Sequence, residues 1–142
     1  MRLEQRQTDE LRKISRAHDL RFVILHGSQA KGTAGAGADI DVAVVGNRPL
    51  PFDEYLALHG ELAEVFGDDP ERELDLKTLH GVDPLFRYQV TRDGVLLFGD
   101  PTAYEEFKAF AFRDYVDSSD LRKLEKLLLQ KSIQKLSQRY AG

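Results

Sequence analysis

Residues 27 to 41 hold Gly27-Ser28, ten intervening residues, and then Asp39-Ile40-Asp41. An apolar stretch, Phe22-Val23-Ile24-Leu25, leads into the Gly-Ser, and a second, Val42-Ala43-Val44-Val45, follows the acids. This pattern reads as strand, glycine-bearing turn, short polar segment, and a strand that opens with two carboxylates. Side chains alternate along a strand, so Asp39 and Asp41 point one way while Ile40 points into the core. Two carboxylates on one face repel each other unless a cation lies between them. Mg²⁺ suits that place, because it binds one or two carboxylates together with substrate phosphates. A backbone turn without a Cβ lets N–H groups and the Ser28 hydroxyl come close to a phosphate. The two halves together describe a metal–nucleotide site.

The elements that must position these residues alternate between helix and strand. Residues 4–18 carry a thin apolar stripe at helical spacing, Leu3, Leu11, Ile14 and Ala17. The first strand spans Arg21 to His26 and the second Asp39 to Val45. Pro49-Leu50-Pro51 breaks the chain, and Asp53 is placed to cap a helix bearing Tyr55, Leu58, Leu62, Val65 and Phe66 and ending at Gly67. Glu71 to Leu79 alternates as a third strand. Asp83-Pro84 opens a short helix through about Val90, Arg92-Asp93-Gly94 turns, and Val95 to Phe98 is the last strand. Helices from about Thr102 to Asp114 and from Asp120 to Arg139 follow, separated at Asp117-Ser118-Ser119-Asp120. The expected architecture is an α/β (α+β) fold with a small mixed sheet flanked by helices. Residues 1–142 form a single domain, with a core over about 20–99 and a C-terminal helical extension over about 100–142.

Composition narrows the function classes. A chain of 142 residues supports one core without covalent staples. The absence of cysteine excludes thiol catalysis, thiolate zinc sites and disulfides. No apolar run is long enough to span a bilayer, and the polar start Met1-Arg2-Leu3-Glu4-Gln5-Arg6 is no signal peptide, so the cytoplasm is the expected compartment. The net charge of −4 divides into +5 over residues 121–142 and −9 over the first 120. An acidic body argues against a nucleic-acid polymerase, whose template channel is basic, and against direct nucleic-acid binding. Gly27 to Gly32 has P-loop glycine spacing, but Thr33-Ala34 replaces the Lys-Ser or Lys-Thr such a loop needs. The histidines His18, His26, His59 and His80 lack zinc-ligand spacing. His26 abuts the Gly-Ser and serves either the phosphate turn or strand-end packing.

His26-Gly27-Ser28-Gln29-Ala30-Lys31-Gly32-Thr33 through Asp39-Ile40-Asp41-Val42-Ala43-Val44 resembles the minimal nucleotidyltransferases of the DNA polymerase β superfamily. Within these it is most similar to the MntA-type antitoxins that accompany HEPN-domain toxins. The likeness extends to Leu74-Asp75-Leu76, to Pro84-Leu85-Phe86-Arg87-Tyr88-Gln89-Val90 and to Asp93-Gly94-Val95-Leu96-Leu97-Phe98. It implies attack of a hydroxyl on the α-phosphate of ATP, served by two Mg²⁺ (or Mn²⁺) ions held by Asp39 and Asp41. A third carboxylate is expected from an adjacent strand. Glu73 and Asp75 share a face there, and the resemblance selects Asp75. It also implies that Gly27 and Ser28 bind the β- and γ-phosphates and that Lys31 neutralises phosphate charge. The family often carries Arg at that place, so the bidentate fork is lost and a point charge remains. Thr33 and Gly35-Ala36-Gly37 are expected to give the loop reach, and Arg87 to line the pocket or lie on a helix surface.

The implied function is an antitoxin that transfers AMP from ATP to a tyrosine of its partner, a HEPN-family RNase toxin, and so silences it. Leu121, Leu124, Leu127, Leu128, Leu129, Ile133 and Leu136 give the last helix more apolar surface than one face needs, which suits a partner or a dimer seam. Two alternatives stand beside this reading. One is a binding-only antitoxin; the other is a small-molecule nucleotidyltransferase of the aminoglycoside type.

Overall fold

The computed structural model describes residues 1–32, 35 and 38–140. In chain order the elements are α1 (Gln5–Ala17), β1 (Leu20–His26), α2 (Gly27–Lys31), β2 (Ile40–Gly46), α3 (Phe52–Phe66), β3 (Leu74–Thr78), α4 (Pro84–Asp93), β4 (Val95–Phe98) and α5 (Pro101–Tyr140). The strands form one sheet in the order β3-β2-β1-β4. β1 is antiparallel to both β2 and β4, while β2 and β3 run parallel, so the sheet is mixed as the sequence implies.

Both faces of the sheet are covered, which is why β1 and β2 read as unbroken apolar runs rather than alternating ones. One face presents Val23, Leu25, Val42, Val44, Leu74 and Leu76 to Leu11 of α1 and to Leu58, Leu62 and Phe66 of α3. The other presents Phe22, Ile24, Ala43 and Val45 to Val90 of α4 and Tyr104 of α5. Each fully buried Leu contributes roughly 2 kcal/mol of transfer free energy. Following the two-residue period, His26 and Asp41 fall on the α4/α5 face, at the end where the apolar cover stops. Asp75 pairs in register with Asp41 and lies on that same face.

Several boundaries differ from the sequence expectation. β3 begins at Leu74 rather than Glu71. The Asp69 carboxylate accepts the N–H groups of Glu71 and Arg72, both at 2.9 Å, and this local turn competes with strand pairing. Pro51, not Asp53, is the N-cap of α3, and Asp53 sits in the first turn where an acid complements the helix dipole. Helix α4 continues through Arg92 and Asp93, which the sequence reading placed in a turn, and ends when the Gly94 N–H donates to Val90 O at 2.8 Å. Its start is as expected: Asp83 caps it by accepting from the Leu85 N–H at 2.7 Å, with Pro84 at the first position.

The largest difference is in the C-terminal extension. The expected interruption at residues 117–120 is absent, and α5 is one helix of 40 residues, about 60 Å long at 1.5 Å per residue. Ser and Asp inside a helix cost only tenths of a kcal/mol each, and no Gly or Pro follows Pro101 within it. Its first half packs against the body through Tyr104 and Ala111. Every residue from 120 to 140 is exposed.

Arg87 is neither a pocket wall nor a surface arginine. Its guanidinium is mostly buried, donates to the Leu79 carbonyl at 3.2 Å, and pairs with Asp114 at 2.9 Å. It therefore ties the end of β3 to α4 and α5. Among the described residues no helix is long and apolar enough to cross a membrane.

Candidate active site

β1 delivers the chain to the site, and Gly27 turns it. Gly27 has φ +70°, a region open to glycine, and α2 begins there at once. The sequence reading placed a turn here. In the structure Gly27–Lys31 is a short helix with His26 as its N-cap and Gly32, at φ +70°, as its C-cap. A Cβ added to Gly27 would run into Asp41 Oδ2, so backbone and carboxylate are in direct apposition. Gly27→Ala is expected to lower stability by about 1–2 kcal/mol from the left-handed backbone alone. It should also displace the Asp41 carboxylate. A thermal melt together with ATP titration would show both effects, whereas an alanine variant with unchanged melting and binding would mean that the close approach carries no function.

Asp41 is the centre of the arrangement. Across the antiparallel pair it faces His26, and across the parallel pair it faces Asp75. Neighbouring strands lie about 4.8 Å apart. Burial pushes the Asp41 carboxyl above its ordinary range; His26 opposes that shift, and the nearby Asp75 and Asp39 add to it. Burial likewise holds the His26 imidazole below its usual value against the pull of Asp41 and Asp75. His26 Nε2 is buried with no hydrogen-bond partner among the described residues, and its ring meets Phe86 edge-on at 6.0 Å.

Asp39 lies just before β2 and is fixed by the neighbouring strand's approach. One of its oxygens accepts the Glu73 N–H at 3.0 Å, while the Ile40 N–H donates to Glu73 O at 2.9 Å. Thus Glu73 contributes its backbone here. Asp75 is half-exposed on the edge strand and stands 3.5 Å from Lys77 Nζ. Ser28 sits in the first turn of α2, and Gln29 closes the following loop by donating to Ala38 O at 3.1 Å. Thr33, Ala36 and Gly37, expected to give that loop its reach, lie outside the described residues.

Lys31 is oriented differently from the acids. It reaches Asp93 Oδ2 at 3.7 Å, at the last turn of α4. Arg92 also grips Asp93, so three charged groups gather beside α2. Sequence reasoning missed Arg92 and Asp93 because Arg-Asp-Gly is a turn signal. The signal that could have found them is the capped apolar helix beginning at Asp83-Pro84, which has no breaker before Gly94.

The all-oxygen donor set fits a hard divalent cation, as does the Asp41 carboxyl, raised chiefly by burial with Asp75 and Asp39 adding to it. Among the described residues no three acidic or imidazole side chains already converge as a metal cluster. Asp75 is engaged with Lys77, and one oxygen of Asp39 with the Glu73 amide. Asp39 and Asp75 are thus turned to protein partners, with Asp41 between them and the Gly27 turn.

The Polymerase beta, nucleotidyltransferase family matches residues 9–103. The chain belongs to this nucleotidyltransferase family. That span includes every strand, both strand-borne acids and all of α4. A protein adenylyltransferase MntA from Aphanizomenon flos-aquae (strain 2012/KM1/D3) is 29% identical over 140 residues, covering 92% of this chain and 89% of its own. The same fold occurs in a crystal structure of a toxin–antitoxin with AMP-PNP, at TM-score 0.67 and 23% identity, over 89% of this chain and 98% of that one. It occurs in a tri-AMPylated Shewanella oneidensis HEPN toxin in complex with MNT antitoxin, at TM-score 0.62 and 21% identity, over 91% and 98%. The spectinomycin adenyltransferase AAD(9) from Enterococcus faecialis, with ATP and spectinomycin, shares it at TM-score 0.53 and 19% identity, over 81% and 65%. The fold is thus shared across these structures.

Proposed function

We propose that this chain is a cytoplasmic antitoxin that transfers AMP from ATP to a tyrosine of a cognate HEPN-family RNase toxin and thereby silences it. The observation that carries the reading is the apposition of the Gly27 turn to Asp41, with Asp75 in register on the next strand. The adenylyltransferase relative, similar over nearly the whole chain, supports protein as the acceptor.

The roles follow from position. Asp39, Asp41 and Asp75 hold divalent ions, Mg²⁺ by preference, while Gly27 and Ser28 bind the phosphates and Lys31 offsets their charge. When bound, a pair of such ions sharpens the attacking oxygen and steadies the departing one. The phenolic oxygen forms a bond to the α-phosphorus as the bond to the bridging oxygen breaks, and pyrophosphate leaves. Asp75 lies on the edge strand and is half-exposed, so an incoming acceptor meets it first. We assign it to take the phenolic proton. Asp41, wedged against Gly27, would hold a metal ion beside the phosphate-binding turn.

Among the described residues, Gly27, Asp41 and Asp75 supply the nucleotide half of a site. The exposed half of α5 supports an acceptor that is itself a protein. Incubation with Mg²⁺, α-phosphate-labelled ATP and a cognate HEPN-family toxin should label the toxin. An Asp39→Ala/Asp41→Ala variant or γ-labelled ATP should leave it unlabelled. A stable complex without label would instead establish an antitoxin that acts by binding alone.

A further inference from the structure

We propose that the cleft between α2 and the last turn of α4 receives the polyphosphate of the nucleotide, and that Asp93 is a built-in anion holding its two cations until polyphosphate displaces it. This inference rests on the nucleotidyl-transfer reading above. The cleft is about 280 Å³ and is lined by His26, Gly27, Lys31, Phe86, Arg92 and Asp93 among others. It therefore begins at the residue that abuts Asp41 and ends at two cations. Gly27 and Lys31 are one helical turn apart, about 6 Å of rise.

Arg92 holds Asp93 with a two-point fork, Nε to Oδ1 at 3.0 Å and Nη2 to Oδ2 at 2.8 Å. The same planar fork fits a phosphate as well as a carboxylate. Lys31 Nζ adds a second cation at 3.7 Å from Oδ2. One carboxylate thus faces two positive charges, which leaves the group with an excess of one. Arg92 and Lys31 are both about half-exposed, and ion pairs of that kind contribute little to stability. A polyphosphate with several charges displaces the single carboxylate at little cost.

The competing explanation is a structural clip: Lys31 and Asp93 simply fasten α2 to α4. The two explanations differ in sign. If Asp93 is a clip, its loss loosens α2 and weakens nucleotide binding. If it is a competing anion, its loss frees both cations and tightens binding. Most of the grip on Asp93 comes from its own chain neighbour Arg92, which fastens no element to another, and this favours the second.

The test is calorimetric titration of the full chain with ATP and with inorganic tripolyphosphate, in Mg²⁺ buffer, for wild type, Asp93→Asn and Arg92→Gln, with thermal melts alongside. Asp93→Asn should tighten both ligands severalfold, and Arg92→Gln should weaken both about tenfold. Unchanged or weaker binding by folded Asp93→Asn overturns the proposal, and that variant decides the matter even if Arg92→Gln fails to fold. Wild type that is folded yet binds no ATP would remove the nucleotide reading itself. ATP binding with indifferent variants would remove this inference alone.

Discussion

Asp41→Asn should reduce nucleotidyl transfer by about 10³-fold or more, because metal-borne charge stabilisation is worth several kcal/mol and each 1.4 kcal/mol is a factor of ten. No other acid is placed to substitute. Asp41 is on the inner strand β2, between His26 on one side and Asp75 on the other, with the Gly27 backbone against its oxygen. Asp39 has one oxygen committed to the Glu73 amide, and Asp75 stands on the edge strand beside Lys77. The same substitution should raise the melting temperature at neutral pH. The folded state holds this carboxyl above its ordinary range, chiefly by burial. An acid shifted upward binds its proton more tightly when folded, so the ionised form costs stability above the folded value. That cost vanishes below the unfolded value. The gain from Asn should therefore be largest near pH 7 and disappear once the pH falls below the usual carboxylate range. Melts at pH 7 and pH 3, run beside labelled transfer, measure both halves. A variant that retains a tenth of wild-type transfer would sink the assignment of Asp41.

That pairing of lost activity with gained stability is the mark of a site built against the fold's own preference, and it explains what could be read from the sequence. Periodicity carried the sheet. Phe22-Val23-Ile24-Leu25 and Val42-Ala43-Val44-Val45 are apolar on both faces, as inner strands covered on both sides must be. Because the period is two, placing those strands also placed Asp41 and Asp75 on one face. The same logic could not show which groups engage those acids. The bond from the Glu73 amide to Asp39 depends on where β3 begins, and that is set by the Asp69 turn, a side-chain–backbone competition that leaves no mark in hydrophobic pattern. Helix α2 was missed for a related reason, since five residues starting with glycine give no periodic signal. Arg87 was misplaced because a guanidinium on a short helix looks solvated. Its partners, the Leu79 carbonyl and Asp114, come from elements 8 and 27 residues away. The break expected in α5 failed because polar residues suggest a loop only where a breaker accompanies them.

Ending the chain at residue 118 should abolish the proposed complex with a HEPN-family toxin, weakening binding by at least about 100-fold, while leaving the body's melting temperature nearly unchanged. The second half of that expectation follows from burial: no residue from 120 to 140 is covered by the body. The first half follows from what those residues carry. Leu121, Leu124 and Leu128 recur at helical spacing along one side, while Leu129, Ile133, Leu136 and Tyr140 line another. All seven are exposed. A helix apolar on two sides is marginal alone in water, and burying each of these side chains on a partner is worth roughly 1.5–3 kcal/mol before ordering costs. Charge decides what kind of partner. Residues 121–142 carry six Lys or Arg against the single acid Glu125. A second copy laid along them sets +5 against +5, whereas an acidic helical surface gains at every contact. Light scattering on the mixed proteins reads the outcome directly. Truncated chain that still co-elutes with the toxin would place the interface on the body, and a full-length chain that dimerises through this helix in the toxin's absence would overturn the charge argument. Leu128→Asp and Ile133→Asp in the full-length helix should reproduce the loss from either side, which separates a lost apolar contact from lost chain length.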